Sequence, residues 1–365
     1  MDLAKLRAEI DAIDEEIVRL LHRRGECAQK VGRIKNQRGE PFYAPAREKE
    51  IMQRLVNLDQ GAFPKEAIAS VFKEIISACL SLQKAIRVAY LGPEASYHHM
   101  AGLAHFGSSS VFVPVPTVDA IFTEVERHRA DYGIAAIENS LEGGISVTMD
   151  RFVTSPLRIV AETYLPIVHG LISHGELPQI TRVYSHGQAL AQCRLWLERN
   201  LPNAELIETS STAEGVLLCK DDPTSAAIAG HMASELIGVP IKVHGIEDSS
   251  GNATRFFVLG WEEVPPSGDD KTALTIFIKD EVGALYDTLE PMKNHGVNLT
   301  NLVSRPTRRE AWQYMFFIEL EGHIEDANVR AALEELGSSS IHLKVLGSFP
   351  RGEMKQTCPL FSNAS

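Results

Sequence analysis

Residues 2–37 read DLAKLRAEIDAIDEEIVRLLHRRGECAQKVGRIKNQ, and this stretch decides how the chain is read. Its apolar side chains fall at Leu3, Leu6, Ile10, Ile13, Ile17 and Leu20, then at Cys27, Val31 and Ile34. The alternating steps of three and four make a heptad seam along one long helix. Between Leu20 and Cys27 the repeat asks for an apolar residue, and the chain has Arg24. A guanidinium on an apolar seam costs roughly several kcal/mol unless it is paired. Lys35 lies about 20° around the helix from Arg24, so the two cations share a face. Arg7 lies about 25 Å from Arg24 along the axis and on another face. One small ligand cannot touch both on a straight helix. Two crossing copies would bring Arg7 and Arg24 to one ligand, which implies a dimer. The competing reading is of solvated charges whose stems snorkel along the helix. It weighs more for Arg7, which interrupts no seam.

The 365 residues suffice for two or three domains of a globular protein. A net charge of −12 argues against a nucleic-acid or anionic-membrane partner. Residues 1–86 hold 15 Lys+Arg against 13 Asp+Glu, which leaves 21 against 35 for the rest. The basic first segment is therefore where an anionic ligand belongs. Cys27, Cys79, Cys193, Cys219 and Cys358 form no CxxC pair. That favours a reducing cytoplasm and argues against a disulfide or zinc framework. No signal peptide is expected from the acidic, amphipathic N-terminus. The apolar stretch Leu157 to Ile172 carries Arg158, Glu162 and His169, so it does not read as a membrane span.

The first 86 residues read as three helices. The turn Gly39-Glu40-Pro41 ends the first, and the second and third open near Pro45 and Pro64. Their broad apolar faces again call for a partner. From residue 87 to 265 short β-rich runs alternate with helical ones. Strands are expected at Arg87–Leu91, Tyr132–Ile137, Arg158–Ala161, Arg182–Tyr184, Glu205–Ile207, Ala226–Ile228 and Arg255–Leu259. Helices are expected at Val118–Glu126, Ala189–Arg199, Ala213–Lys220 and Met232–Ile237. This is an α/β layer pattern, whose ligands sit in loops beyond the strand ends. The candidate loops are Gly92 to Tyr97, Glu138-Asn139-Ser140, Ser185-His186-Gly187-Gln188, Thr209-Ser210-Ser211-Thr212 and Asn252 to Phe256. Their hydroxyls and amides suit a carboxylate, but each taken alone also suits a helix cap. The run Val264-Pro265-Pro266-Ser267-Gly268-Asp269-Asp270 reads as a linker. Residues 272–350 then follow a βαββαβ order, a ferredoxin-like α+β sandwich, and the tail after Pro350 lacks periodicity.

These residues together resemble the bifunctional chorismate mutase–prephenate dehydratase family over the whole chain except the tail. The resemblance implies an all-helical mutase domain over 1–86, intertwined as a dimer, with ligand positions at Arg7, Arg24, Lys35, Arg47, Glu48 and Gln83. Two positions depart from the pattern: a family aspartate is Ala44 and a serine is Cys79. Residues 87–265 resemble a prephenate dehydratase domain with two lobes of periplasmic-binding-protein type. Asn252-Ala253-Thr254-Arg255-Phe256 is its most specific signature, supported by Glu138-Asn139-Ser140 and by Ser185, His186 and Gln188. The family's Gly-Thr is here Ala95-Ser96, and its proline before Glu-Asn is missing. Residues 272–350 resemble an ACT regulatory domain, which in this family binds phenylalanine. Gly283-Ala284-Leu285 and Ser304-Arg305-Pro306 match, while a glutamate is replaced by Val303. The implied substrates are chorismate and prephenate, with no cofactor or metal, in a homodimer or a tetramer.

The resemblance also assigns roles. Arg24 and the partner's Arg7 would fork onto the two carboxylates of chorismate. Lys35 and Gln83 would donate to its ether oxygen, and Glu48 would hold the ring hydroxyl. Arg47 is a ligand contact or a partner for neighbouring carboxylates. Thr254 is the family's catalytic threonine, a donor to the departing hydroxyl of prephenate. Arg255 grips a carboxylate or pairs within its domain, and His186 is a polar contact or a cap. Two rivals stand beside this reading. One is a regulator whose middle domain only binds, or takes arogenate. The other is a mutase fused to a dehydrogenase, but no GxGxxG fingerprint occurs in the chain.

Overall fold

The computed structural model describes residues 2–58, 61–278, 281–306, 314–339 and 342–354. Helix α1 (Leu3–Arg38) is one continuous element. Asp2 starts it by accepting from the Ala4 N–H at 3.1 Å, which satisfies a donor that the helix cannot. Gly39 ends it at φ +66°, a left-handed conformation that glycine adopts without a Cβ penalty. Helices α2 (Pro45–Leu58) and α3 (Lys65–Ser81) complete the first unit. Within one chain, the C-terminal end of α3 does not cover the apolar seam. It docks on a strip of α1 marked by Gly25 and Gly32. A Cβ at Gly25 would stand 3.1 Å from Leu82, and one at Gly32 would stand 2.9 Å from Gln83. The seam itself stays open to solvent, with Ile10 and Leu20 each 55 % exposed.

The middle unit has two lobes, each built on its own sheet. The first lobe holds β1 (Arg87–Leu91), β2 (Val111–Val115), β3 (Tyr132–Asn139), β4 (Gly143–Gly144) and β5 (Arg158–Pro166), with α4 (Tyr97–Phe106), α5 (Val118–Glu126) and α6 (Ser146–Thr154). The second lobe holds β6 (Gly170–Ile172), β7 (Arg182–Ser185), β8 (Glu205–Glu208), β9 (Ser225–Ala229) and β10 (Ile241–His244). Its helices are α7 (Gly187–Gln192), α8 (Arg194–Asn200), α9 (Thr212–Cys219) and α10 (His231–Ile237). The chain then returns to the first lobe as β11 (Ala253–Gly260), inserted between β3 and β5 in the order β2-β1-β3-β11-β5. The two crossings between lobes are thus adjacent, and Ile167 N donates to Asn252 O at 2.8 Å between them.

Sequence reasoning ran Ala189–Arg199 as one helix, whereas the structure breaks it at Cys193. Asp248 supplies the reason: its carboxylate accepts from Leu195 N and Trp196 N at 2.9 and 3.0 Å. A carboxylate at these N–H groups starts a new helix. Helices α4 and α6 and strands β2, β6 and β10 were not anticipated. Several are short, and they are held by neighbours more than by their own pattern. Ala95 has φ +63°. This left-handed backbone conformation costs an alanine about 1 kcal/mol relative to glycine.

The third unit orders β12 (Asp270–Ile278), α11 (Ala284–Asn294), β13 (Leu299–Pro306), β14 (Tyr314–Glu321), α12 (Ala327–Ser339) and β15 (His342–Pro350). The sheet is antiparallel in the order β13-β14-β12-β15, a βαββαβ sandwich. The sequence pattern starts the third strand of this unit at Trp312, which lies outside the described residues, as does the tail beyond Met354 with Cys358. One face of this sheet packs on its own helices through Leu274, Ile276 and Ile318. The other shares a core with the first lobe through Ala273, Phe317, Leu346 and Phe349. The helical unit is docked as well. The Tyr43 ring is buried beside Phe106 and Tyr132, and Lys49 bonds Asp269 at 2.9 Å.

Candidate active sites

The first site forms where α3 ends against α1. Arg24 is half-buried, and its guanidinium donates to Ile75 O at 3.3 Å. The cation on the seam is thus placed by α3. Lys35 donates to Phe42 O at 2.8 Å. Burial lowers its pKa, opposed by Glu40 and Glu48. Burial pushes the Glu48 carboxyl up to about 7, against the pull of Lys73 and Lys35. Gln83 lies on Gly32, and its amide makes only a long 3.5 Å bond to Cys79 O. Its Oε1 is buried with no partner among the described residues. An amide the protein leaves unsaturated is suited to a ligand. Cys79 is a buried free thiol one turn before it. Arg47 is exposed and pairs with Glu50 at 2.6 Å, so of its two readings the structure shows the carboxylate partner. Arg7 stands in solvent on the far part of α1, remote from Arg24 within one chain.

The second site lies at the two crossings between lobes. Asn139 at the end of β3 faces Thr254 at the start of β11. Asn139 Oδ1 accepts from Leu141 N and Glu142 N at 3.0 and 3.3 Å. Backbone N–H groups only donate, so they orient the amide and leave Nδ2 to donate. It does so to Thr254 Oγ1 and Asn252 Oδ1, both at 2.9 Å. The Thr254 oxygen therefore accepts, and its proton has no acceptor among the described residues. The polarity continues outward. Asn252 Nδ2 donates to Gln192 Oε1 at 3.1 Å, and Gln192 Nε2 donates to Glu142 at 3.1 Å. His169 Nε2 meets the same Gln192 oxygen at 2.9 Å, and its Nδ1 meets Tyr97 OH at 3.0 Å. Burial holds His169 below the usual imidazole range, and the Tyr97 hydroxyl also donates to Val168 O at 3.0 Å.

Gln192, His169 and Glu142 escaped sequence reasoning, while Tyr97 closes one of the candidate loops. No local signal could have found Gln192, because the helix break beside it is imposed by Asp248 from elsewhere in the chain. Ser140 is part of the network, donating to Asn252 Oδ1 at 3.4 Å and accepting from Ala253 N at 3.0 Å. Other candidates serve the local structure. Ser185 is buried and donates to Ile228 O at 2.6 Å. His186 caps α7 by accepting from Gln188 N, which belongs to the same turn. Ser211 caps α9 by accepting from Glu214 N. Arg255 requires correction as a substrate contact. Successive strand residues face opposite sides, so Arg255 points away from Thr254. Its guanidinium is committed to Glu162 and Glu319.

A prephenate dehydratase family model matches residues 88–264, a chorismate mutase type II model residues 6–84 and an ACT domain model residues 272–338. The bifunctional chorismate mutase/prephenate dehydratase of Aquifex aeolicus is 44 % identical over 360 residues, 97 % of this chain and 99 % of that protein. The chain belongs to this bifunctional family. Its counterpart in Stutzerimonas stutzeri is 40 % identical, covering 96 % and 98 % of the two chains. A crystal structure of prephenate dehydratase in complex with L-Phe from Arthrobacter aurescens is 33 % identical with TM-score 0.68. It spans 73 % of this chain and 90 % of that one.

Against that family's pattern, the ACT residues separate into two groups. Gly283, at φ +90°, opens α11 with Ala284 and the exposed Leu285. Ser304 is exposed on β13. Arg305, expected as an effector contact, turns instead to the first lobe. It pairs with Ser146 Oγ and with Asp150 at 3.1 Å. The next residues of both elements' loops, 279–280 and 307–313, lie outside the described residues. No helix among the described residues is long and apolar enough to cross a membrane.

Proposed function

We propose that the helical unit rearranges chorismate to prephenate, that the two-lobed unit converts prephenate to phenylpyruvate, and that phenylalanine acts through the ACT domain. Near full-length identity to the bifunctional relatives supports both steps together. The observation that carries the dehydratase step is the orientation of Asn139, which leaves the Thr254 proton free. In that step the bond to the ring carboxylate breaks and releases CO₂, and its electron pair enters the ring. The ring C–O bond breaks as the hydroxyl leaves as hydroxide, which takes up a proton from solvent to become water. Decarboxylation needs no base, so the protein's task is to hold the dianion and donate a hydrogen bond to the leaving oxygen. Thr254 fits that role, with Asn139 and Asn252 fixing its direction.

The mutase step has no covalent intermediate. Arg24 binds one carboxylate, Lys35 and Gln83 donate to the ether oxygen, and Glu48 accepts from the ring hydroxyl. The exposed seam of α1 supports a homodimer in which the partner's Arg7 completes the site, since a bare heptad stripe is what a crossing helix buries. Gln83→Glu tests the donor role. Only a protonated carboxyl can donate, so this variant's mutase rate falls as pH rises through the new group's pKa. A pH–rate profile equal to that of the wild type overturns the assignment.

Purified protein given chorismate without cofactor tests the whole reading, with prephenate and phenylpyruvate followed separately. The expected result is both products in sequence, with phenylpyruvate suppressed by added phenylalanine. Prephenate accumulating alone would overturn the dehydratase reading and direct the next assay to arogenate.

A further inference from the structure

The most heavily buried charges of the middle unit lie on the face of β11 opposite the dehydratase network. Arg255 reaches from the first lobe into the ACT domain. Its Nη1 and Nη2 meet the two Glu319 oxygens at 2.7 and 2.5 Å, and its Nε meets Glu162 at 2.6 Å. Both carboxylate side chains are fully buried, and Arg255 is 6 % exposed. Lys271 of the ACT domain closes the group on Glu162 at 3.2 Å. These two cations and two carboxylates cancel, and the partly exposed Glu138 also stands 3.7 Å from the Arg255 guanidinium. Such a pairing adds little net stability over apolar packing of the same volume, but a two-pronged guanidinium–carboxylate pair is strongly directional.

The neighbour of Arg255 is Thr254, on the same strand with the opposite face. The register of β11 against β3 shifts between Arg255 and Phe256, where Ile137 is skipped. A bulge of this kind re-aims the side chains beside it. The direction of the Thr254 hydroxyl therefore depends on where the strand is held just after it, and the ACT domain holds it there. We propose that Glu319 is a positioning residue for the dehydratase reaction: its two-pronged grip on Arg255 sets the direction of Thr254. The same link gives a ligand of the ACT domain a route to the reacting hydroxyl. This rests on Thr254 being the donor to the leaving oxygen.

The test uses the full chain carrying Glu319→Gln and, because an unpaired buried Arg255 can unfold the protein, the matched pair R255M/E319M. The pair removes one charge of each sign and leaves Glu162 with Lys271. Mutase rate and thermal midpoint serve as controls for folding. The expected result for the matched pair is a dehydratase kcat lowered about tenfold or more with KM unchanged. Its residual rate is the same with and without phenylalanine. A kcat within twofold of wild type, or inhibition by phenylalanine as in wild type, overturns the proposal and leaves the group a structural ion cluster. Wild-type protein that makes no phenylpyruvate from prephenate would instead overturn the dehydratase reading, and the proposal with it.

Discussion

Thr254→Val leaves the mutase rate of the chain unchanged and lowers prephenate dehydration about 10²–10³-fold. Valine has the shape of threonine and suits a strand, so β11 keeps its place between β3 and β5. What disappears is the one hydroxyl whose proton the surrounding amides leave unassigned. Asn139 Nδ2 loses one acceptor at 2.9 Å but keeps Asn252 Oδ1 at the same distance, so the network survives in part. The departing oxygen gains charge only as its bond breaks. The loss therefore falls on kcat, with little change in KM. Separate steady-state assays on chorismate and prephenate check this. A dehydratase kcat within threefold of wild type would remove Thr254 from the mechanism.

Lys35→Met produces the mirror image, a mutase slowed about 10²–10³-fold beside an intact dehydratase. The methionine stem fills the lysine's volume without its ammonium. In the structure that ammonium is steadied by Phe42 O at 2.8 Å and faces Glu48. Phe42 belongs to the loop between α1 and α2, and the next residue, Tyr43, is fixed in the dehydratase by a 2.5 Å bond to His105. Lys35 is thus presented by a loop anchored in the other domain. Without its charge the ether oxygen keeps only the Gln83 amide, and removing one of two donors has its largest effect in the transition state. Purified variant assayed for prephenate release decides it. An unchanged mutase rate would exclude Lys35 from the chemistry, while loss of both activities would mean that the variant fails to fold.

The long helix, the docking of cations near its C-terminal half, the α/β alternation and the βαββαβ order were all legible from periodicity and turn residues. Those signals are local, since a heptad, a capping aspartate or a Gly39 turn acts within a few residues. The candidate site was legible only where a motif named it. Arg255 shows why motifs fall short. Sequence reasoning began the strand at Arg255, whereas it begins at Ala253. That shift of two residues moves Thr254 from a loop into a strand and sends the adjacent arginine to the opposite face. Ser185, His186 and Ser211 illustrate another ambiguity, since a hydroxyl or imidazole beside a helix start serves as a cap or as a ligand contact with the same local sequence.

The amino-acid sequence by itself determined the order of three units, an apolar seam along the first helix, and Asn139, Asn252 and Thr254 as polar residues of two separate candidate loops. Only the tertiary structure decided that Gln192, His169, Tyr97 and Glu142 extend this group, and that Arg255 and Arg305 join the ACT domain to the first lobe. The physical reason is distance along the chain. Asn139 and Thr254 are 115 residues apart, and Arg255 and Glu319 are 64 apart. Hydrogen-bond direction and charge pairing at such separations are set by how sheets stack and where the chain crosses between lobes, which no local pattern encodes.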